Sequence, residues 1–236
     1  MAEGVAGGGV DLAVIVIEGW GLSNLCKSGV TTVLLLSFDD HLWRAYLLSL
    51  RLFMFSGVIK ARALISELRL RRNGASFVLL LDQPLDTVAG SSLCCSGVCL
   101  TVTKCCGRFV DVEAWRDSLR LTALAIASRL ETLNVEVVLT ADGQLHGHVV
   151  CGHVRCVVQL EAVDKAEAGA EAKVVRLRCP KWVSEVELAP WSSSLDGVSI
   201  TVAEAGCRWI QILLISYTLA TTSLVRLTMG RELSLE

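Results

Sequence analysis

No Cys-x-x-Cys pair occurs in this chain, although it holds ten cysteines. That absence argues against ribbon-type zinc sites and against thioredoxin-like redox chemistry. The cysteines fall instead as adjacent pairs, Cys94-Cys95 and Cys105-Cys106, within apolar runs. At 236 residues the chain far exceeds the small secreted domains that disulfides hold together. Most of these cysteines are therefore read as small buried hydrophobes in a reducing cytoplasm. Charge of one sign is lacking too: 22 Lys and Arg stand against 24 Asp and Glu, for a formal net charge of −2. Nothing resembles a basic stripe, which disfavours nucleic acid and anionic membrane as partners. No uninterrupted apolar run reaches the roughly 18 residues of a membrane helix. The longest candidates, around Val33–Leu36 and Ile212–Ile215, are of strand length.

What the chain does have is an internal repeat. Gly97-Val98-Cys99-Leu100-Thr101-Val102 returns as Gly197-Val198-Ser199-Ile200-Thr201-Val202, an offset of 100 residues (197 − 97). At the same offset Arg108-Phe109-Val110 returns as Arg208-Trp209-Ile210, and Leu133-Asn134-Val135-Glu136 as Leu233-Ser234-Leu235-Glu236. Ser118-Leu119, Thr122 and Leu124 likewise match Thr218-Leu219, Thr222 and Leu224. A period this long is the size of a small domain and not of a solenoid unit. Two copies of one module suggest a site that handles two similar ligands.

Residues 1–53 stand outside the repeat. Their Ala6-Gly7-Gly8-Gly9 opening and Asp39-Asp40 suit neither a signal peptide nor a transit peptide, and Trp20, Cys26 and Trp43 argue against a flexible tail. Beyond them, runs rich in Val, Ile, Leu, Thr and Phe are broken by Gly, Asn or Asp. Phe77–Leu81, Val98–Thr103, Phe109–Val112, Val135–Leu139, Val174–Leu177 and Val198–Ala203 read as strands. Helical periodicity is confined to one piece per module, starting at Asp117 and at Ser216. Many short strands with one short helix indicate a small antiparallel barrel in each copy. Lys165–Glu171 reads as a hairpin or surface turn, and the modules divide near Gly147–Gly152.

Four blocks carry a resemblance to a known family. Met54-Phe55-Ser56-Gly57-Val58-Ile59 is similar to Met-Phe-Thr-Gly-Ile-Ile, and Ser96–Val102 to Asn-Gly-Val-Cys-Leu-Thr-Val. Leu145–Val154 is similar to Leu-Gly-Gly-His-Ile-Val-Ser-Gly-His-Val, and Leu195–Val202 to Val-Asp-Gly-Val-Ser-Leu-Thr-Val. In this order and spacing they resemble riboflavin synthase of the alpha-chain type, from Met54 to Glu236. The resemblance implies an all-β, mainly antiparallel fold: two tandem six-stranded Greek-key barrels with short helices, at 54–148 and 149–236, preceded by the extension 1–53. It implies dismutation of two 6,7-dimethyl-8-ribityllumazine molecules to riboflavin and a ribitylaminouracil in the cytoplasm. Donor and acceptor are the same compound, so no metal or redox cofactor is implied. A homotrimer, with sites between the first barrel of one subunit and the second of its neighbour, is also implied.

Carried over by residue, the first pocket would use Ser56, Gly57, Val58 and Ile59, with Phe55 stacking near the ring. Cys99, Leu100 and Thr101 would line it, with Glu113, Ala114, Trp115, Arg116, Asp117 and Ser118 on one wall and Gly152, His153 and Val154 on another. Ser92, Cys99 and His153 would be the catalytic groups. The second pocket would use Ser199, Ile200 and Thr201 with Ile215, Ser216, Tyr217, Thr218, Leu219 and Ala220. Hydroxyl side chains and strand-edge amides suit a ligand with a polar ring edge and a ribityl chain.

Each residue also has a plainer reading. Gly-Val-Cys-Leu-Thr-Val alone is a core strand, and Trp115 and Trp209 are core or interface. His146, His148 and His153 lack a fourth ligand for a tetrahedral metal site. Three departures separate the chain from the family. Pro190-Trp191 stands where the family carries Lys-Gly, and Glu113 and Ser118 replace an Asp and a Thr. Glu236 aligns with the Glu of a closing Asn-Ile-Glu-x-Asp, so the family's last Asp and C-terminal trimerisation helix have no counterpart in the sequence. These departures leave room for an alternative, a lumazine or flavin carrier of the same fold.

Overall fold

The computed structural model describes residues 54–127, 130–140, 144–166, 172–183 and 192–236. The extension 1–53, residues 167–171 and Pro190-Trp191 lie outside the described residues. In the first barrel the strands are β1 (Ala61–Arg71), β2 (Gly74–Leu81), β3 (Ser92–Cys95), β4 (Val98–Cys106), β5 (Phe109–Trp115) and β6 (Thr132–Val137). The second holds β7 (Cys156–Lys165), β8 (Lys173–Arg178), β9 (Ser192–Leu195), β10 (Val198–Gly206), β11 (Trp209–Leu214) and β12 (Glu232–Leu235). The first closes in the order β1-β2-β5-β4-β3-β6 and the second as β10-β11-β8-β7-β12-β9, with antiparallel neighbours throughout. Strand β2 lying beside β5, with β3 and β4 beyond, is the Greek-key step.

Alternation decides which face is inside. Ala63, Ile65, Phe77, Leu79, Leu81, Val110 and Val112 fill the first barrel, and Val158, Leu160, Val175, Leu177, Ile210 and Ile212 fill the second. Each such side chain contributes roughly 1.5–3 kcal/mol by leaving water. Closing so few strands into a barrel requires sharp bending, and register shifts supply it at equivalent places. They fall at Ile65/Glu67 and Val102/Lys104 in one barrel, and at Leu160/Ala162 and Val202/Glu204 in the other.

The strand readings hold at five of six places; the run Val135–Leu139 ends in the structure at Val137. Helices form at Arg116–Arg120 and Ser216–Thr221, each followed by a 3-10 turn. Two expectations need correcting. Only Cys94, Cys95, Cys156 and Cys179 of the described cysteines are buried, while Cys106, Cys151 and Cys207 are exposed. Cys106 ends β4 where the hairpin has run past the barrel core, while Cys105 still packs partly buried against it. Trp115 is 73% exposed, and Trp209 is half-buried on the outer surface with the Arg176 guanidinium 3.8 Å from its ring centre, so neither is core.

A crossing of polar groups joins the barrels. Asn134 donates through Nδ2 to the Asp196 carbonyl at 2.9 Å and accepts at Oδ1 from the Ser223 amide at 2.7 Å. Its repeat mate Ser234 accepts at Oγ from the Ala123 amide at 3.1 Å. Among the described residues no helix is long and apolar enough to cross a membrane.

Candidate functional site

The segment preceding each barrel's first strand does not stay with its own barrel. Phe55 and Val150 pair with each other, the Phe55 amide donating to Val150 at 2.7 Å and the Val150 amide to Phe55 at 3.0 Å. From there the two chains part. The Ser199 amide donates to the Gly57 carbonyl at 2.8 Å, and the Cys99 amide donates to the Gly152 carbonyl at 3.1 Å. Ile59 packs against the second core and Val154 against the first. Each β3–β4 or β9–β10 hairpin therefore receives a strap from the other half.

A carboxylate fixes each strap, buried at Glu136 and half-buried at Glu236. Glu136 accepts at Oε1 from the Ser56 amide and hydroxyl, both at 2.7 Å, and at Oε2 from the Gly57 amide at 2.9 Å. Glu236 accepts from the Cys151 amide at 2.7 Å and the Gly152 amide at 3.0 Å. Burial pushes the Glu136 carboxyl up from its ordinary range, and the Ser56 and Gly57 bonds pull it back down. Both straps turn through glycine with positive φ, +71° at Gly57 and +73° at Gly152. A side chain at Gly57 would press on Ser199, and one at Gly152 on Cys99, so these positions need both the backbone freedom and the space.

In the first cleft, Cys99 and Thr101 share the outer face of β4, while Leu100 points into the core. Thr101 lies between Ser92 on β3 and Glu113 on β5. The thiol of Cys99 is pushed up by burial; a hydrogen bond from the Ser92 side chain pulls it down, and the Glu236 charge adds to the rise. At neutral pH it is a thiol and not a thiolate nucleophile. Trp115, Arg116 and Asp117 are exposed, Ser118 is half-buried, and Ala114 faces inward. His153 is exposed beside Gly152.

In the second cleft, Ser199 and Thr201 take the places of Cys99 and Thr101, and Ile200 enters the core. His148 places Nδ1 2.7 Å from the Ser199 hydroxyl, and its amide donates to the Ser56 carbonyl at 3.1 Å. Burial lowers the His148 pKa, so the ring is neutral at pH 7. Ile215, Ser216, Tyr217 and Ala220 are exposed, Thr218 is half-buried and Leu219 buried.

Some of the residues from the resemblance meet at two hairpin–strap junctions, Gly57 and His148 at Ser199 and Gly152 at Cys99. The resemblance puts both Ser56–Ile59 and Gly152–Val154 beside Cys99; Gly152 does meet Cys99, whereas Gly57 sits on Ser199. The cause is the pairing of Phe55 with Val150, which commits each strap to the opposite barrel. Phe55 is 0% exposed, packed with Cys94 and Val150, so it supports the floor and offers no stacking face. The resemblance points to His153 as the catalytic histidine, whereas in the structure His148 is the one bonded to Ser199. Its signal was present, because it matches the first His of the family's Leu-Gly-Gly-His block. Among the described residues no group of three or more His, Cys, Asp or Glu side chains could hold a metal.

Paired Greek-key barrels that exchange straps over equivalent hairpins define a duplicated-barrel class of protein. The lumazine binding domain family matches the chain twice, at residues 56–138 and 151–236. Riboflavin synthase of Brucella abortus (strain 2308) is 31% identical over 194 residues, covering 78% of this chain and 92% of that protein. Riboflavin synthase of Escherichia coli (strain K12) is 27% identical over 187 residues, covering 78% and 86%. Among solved structures, LumP complexed with riboflavin has the same fold, with a TM-score of 0.69 at 20% identity over 77% of this chain and 98% of that one. The chain belongs to the lumazine-binding domain family.

Proposed function

We propose that this chain is a riboflavin synthase. It would convert two molecules of 6,7-dimethyl-8-ribityllumazine into riboflavin and 5-amino-6-(D-ribitylamino)uracil by moving a four-carbon unit from one to the other. The observation that carries the reading is the pair of like junctions, each formed by a hairpin of one barrel and a glycine strap of the other. A reaction between two identical heterocycles needs two like pockets, and holding both partners in a reactive geometry is worth up to roughly 7–11 kcal/mol of barrier. Identity of 31% with a riboflavin synthase supports the same chemistry. Because donor and acceptor are one compound, no external oxidant or metal enters the balance.

Within the clefts the side chains divide their roles. Thr101, Thr201 and the strap amides would position ring edge and ribityl hydroxyls. Neutral His148, held by Ser199, is the group of the second cleft able to take a proton at pH 7. Ser92 and Cys99 would serve the first cleft as a hydrogen-bonded pair. A homo-oligomer, a trimer by family resemblance, would set the first cleft of one subunit against the second of the next.

The test is incubation of the purified chain with 6,7-dimethyl-8-ribityllumazine across protein concentrations. Riboflavin forming at half the rate of lumazine loss, with a specific rate that rises with protein concentration, is the expected result. A second reading, a carrier, draws on Pro190, which stands where the family has lysine. Tight lumazine binding without riboflavin would select it.

A further inference from the structure

Away from both clefts, a cavity of about 280 Å³ opens between the edge of β1–β2 and the 3-10 turn Ser223–Arg226. Three guanidinium groups, from Arg62, Arg108 and Arg226, line it against a single carboxylate, Asp82. Arg62 is bound to Asp82, Nε to Oδ2, at 3.1 Å. Arg108 reaches the Asp82 carbonyl at 3.4 Å, and Arg226 reaches the Thr132 hydroxyl at 3.4 Å. Each guanidinium has five N–H donors, and these contacts use one apiece. The wall therefore carries an excess of two positive charges and most of its donors unspent.

A second observation points the same way. Ser223 lines the cavity and is 2% exposed, and its hydroxyl has no hydrogen-bond partner among the described residues. A buried hydroxyl left unmatched is uncommon and costly.

The fold itself does not require this arrangement. The pairing of Ala61 with Val135 and of Cys156 with Leu235 fixes the register between the halves. In that register Arg62 corresponds to Val157, Arg226 to Ile126, Ser223 to Ala123 and Thr132 to Glu232. Of the three cations only Arg108 has a cationic counterpart, Arg208, so the charges of Arg62 and Arg226 are a property of this cavity.

We infer that the cavity binds the phosphate group of a small phosphate monoester. Planar guanidinium forks match phosphate oxygens in pairs, and Thr132 offers a hydroxyl to the remainder of the molecule. The volume exceeds what a lone tetrahedral oxyanion fills. The site shares no residue with either cleft and goes beyond the lumazine reading.

The experiment is an isothermal calorimetric titration of the full chain with ribose 5-phosphate, with inorganic phosphate and unphosphorylated ribose as parallel probes. Saturable binding of a phosphate-bearing probe, weakened at least about tenfold by Arg226→Gln and unchanged by the remote Arg69→Gln, is the expected result. Comparison of the two phosphate probes shows whether a monoester or free phosphate is the ligand. Arg108→Gln gives an independent variant should Arg226→Gln fold poorly, with far-UV circular dichroism checking both. No saturable binding, equal weakening by Arg69→Gln, or equal binding of ribose would overturn the inference.

Discussion

Ser199 donates its backbone N–H to the carbonyl of Gly57 at 2.8 Å, across the boundary between the repeats. That bond lays the strap of the first barrel over the second and completes a cleft that neither repeat builds alone. Its counterpart joins Cys99 to Gly152 at 3.1 Å.

Gly57→Ala and Gly152→Ala should each destabilise the chain. The new methyl would sit 2.7 Å from the Ser199 Cβ in one case and from the Cys99 Cβ in the other, at backbone angles that L-residues resist. The left-handed conformation alone costs roughly 1–2 kcal/mol, and the crowding adds to it. Urea denaturation should show a loss of about 2–4 kcal/mol with lumazine binding weakened in parallel. Wild-type stability in both variants would mean that the straps are free to lift.

Glu136→Gln removes a carboxylate that satisfies three donors at once. The amide keeps one acceptor oxygen and turns an NH₂ group toward a donor, leaving a buried mismatch. A loss of roughly 1–3 kcal/mol is expected. Glu136→Asp, one methylene shorter, should lose a similar amount, because the carboxylate no longer reaches both Ser56 and Gly57. Denaturant midpoints of the two variants check this.

Much of this architecture is legible in the residues. The offset of 100 residues reveals the duplication, and Gly-Val-Cys-Leu-Thr-Val with Gly-Val-Ser-Ile-Thr-Val marks the two hairpins that bear the clefts. The exchange of straps is not legible. It depends on Phe55 meeting Val150, a contact between residues 95 apart (150 − 55), and no local pattern encodes which partner a five-residue approach will choose. Strands β3 and β9 are not legible for a related reason: Ser92–Cys95 and Ser192–Leu195 span four residues each, too few to show alternation. Glu136 reads as an ordinary strand-surface acid until the fold turns three donors onto it.

Asp196 gives the chain a pH-dependent stability. It is fully enclosed, accepts at Oδ1 from the Ser234 amide at 2.8 Å and has Oδ2 3.5 Å from Arg231. Burial pushes its pKa up to about 7; the Ser234 bond and Arg231 oppose the rise, and Glu131 adds to it. The folded state thus holds a proton that the unfolded chain releases nearer pH 4. This contribution is fully present below the unfolded value and is lost as pH rises through about 7. The slope approaches roughly 1.4 kcal/mol per pH unit between the two values. Asp196→Asn, which mimics the protonated form, should flatten that part of the curve in urea melts between pH 4 and pH 8.

Cys99 should react slowly with alkylating reagents. Its raised pKa leaves little thiolate at pH 7, and the strap at Gly152 covers one side. Iodoacetamide followed by peptide mass analysis should label exposed Cys106 and Cys207 first, with Cys99 labelled appreciably only as pH climbs above the ordinary thiol range. Labelling of Cys99 at pH 7 ahead of both would reveal an activated thiolate and restore it as a nucleophile.

His148 is the sharpest test of how the second cleft works. Its ring is neutral at pH 7 because burial lowers its pKa, and Ser199 holds it at 2.7 Å. If it accepts a proton during turnover, kcat should stay level through the ordinary histidine range and fall only in more acid solution. His148→Ala should lower kcat by roughly 10²-fold or more and remove that acid limb, since a positioned base contributes about this much. Protonation on the acid side also costs stability, because the unfolded chain takes up a proton the folded ring resists. Far-UV circular dichroism at each pH separates the two effects. A His148→Ala enzyme with an unchanged pH profile would assign the proton to another group, with His153 at the opposite strap the next to examine.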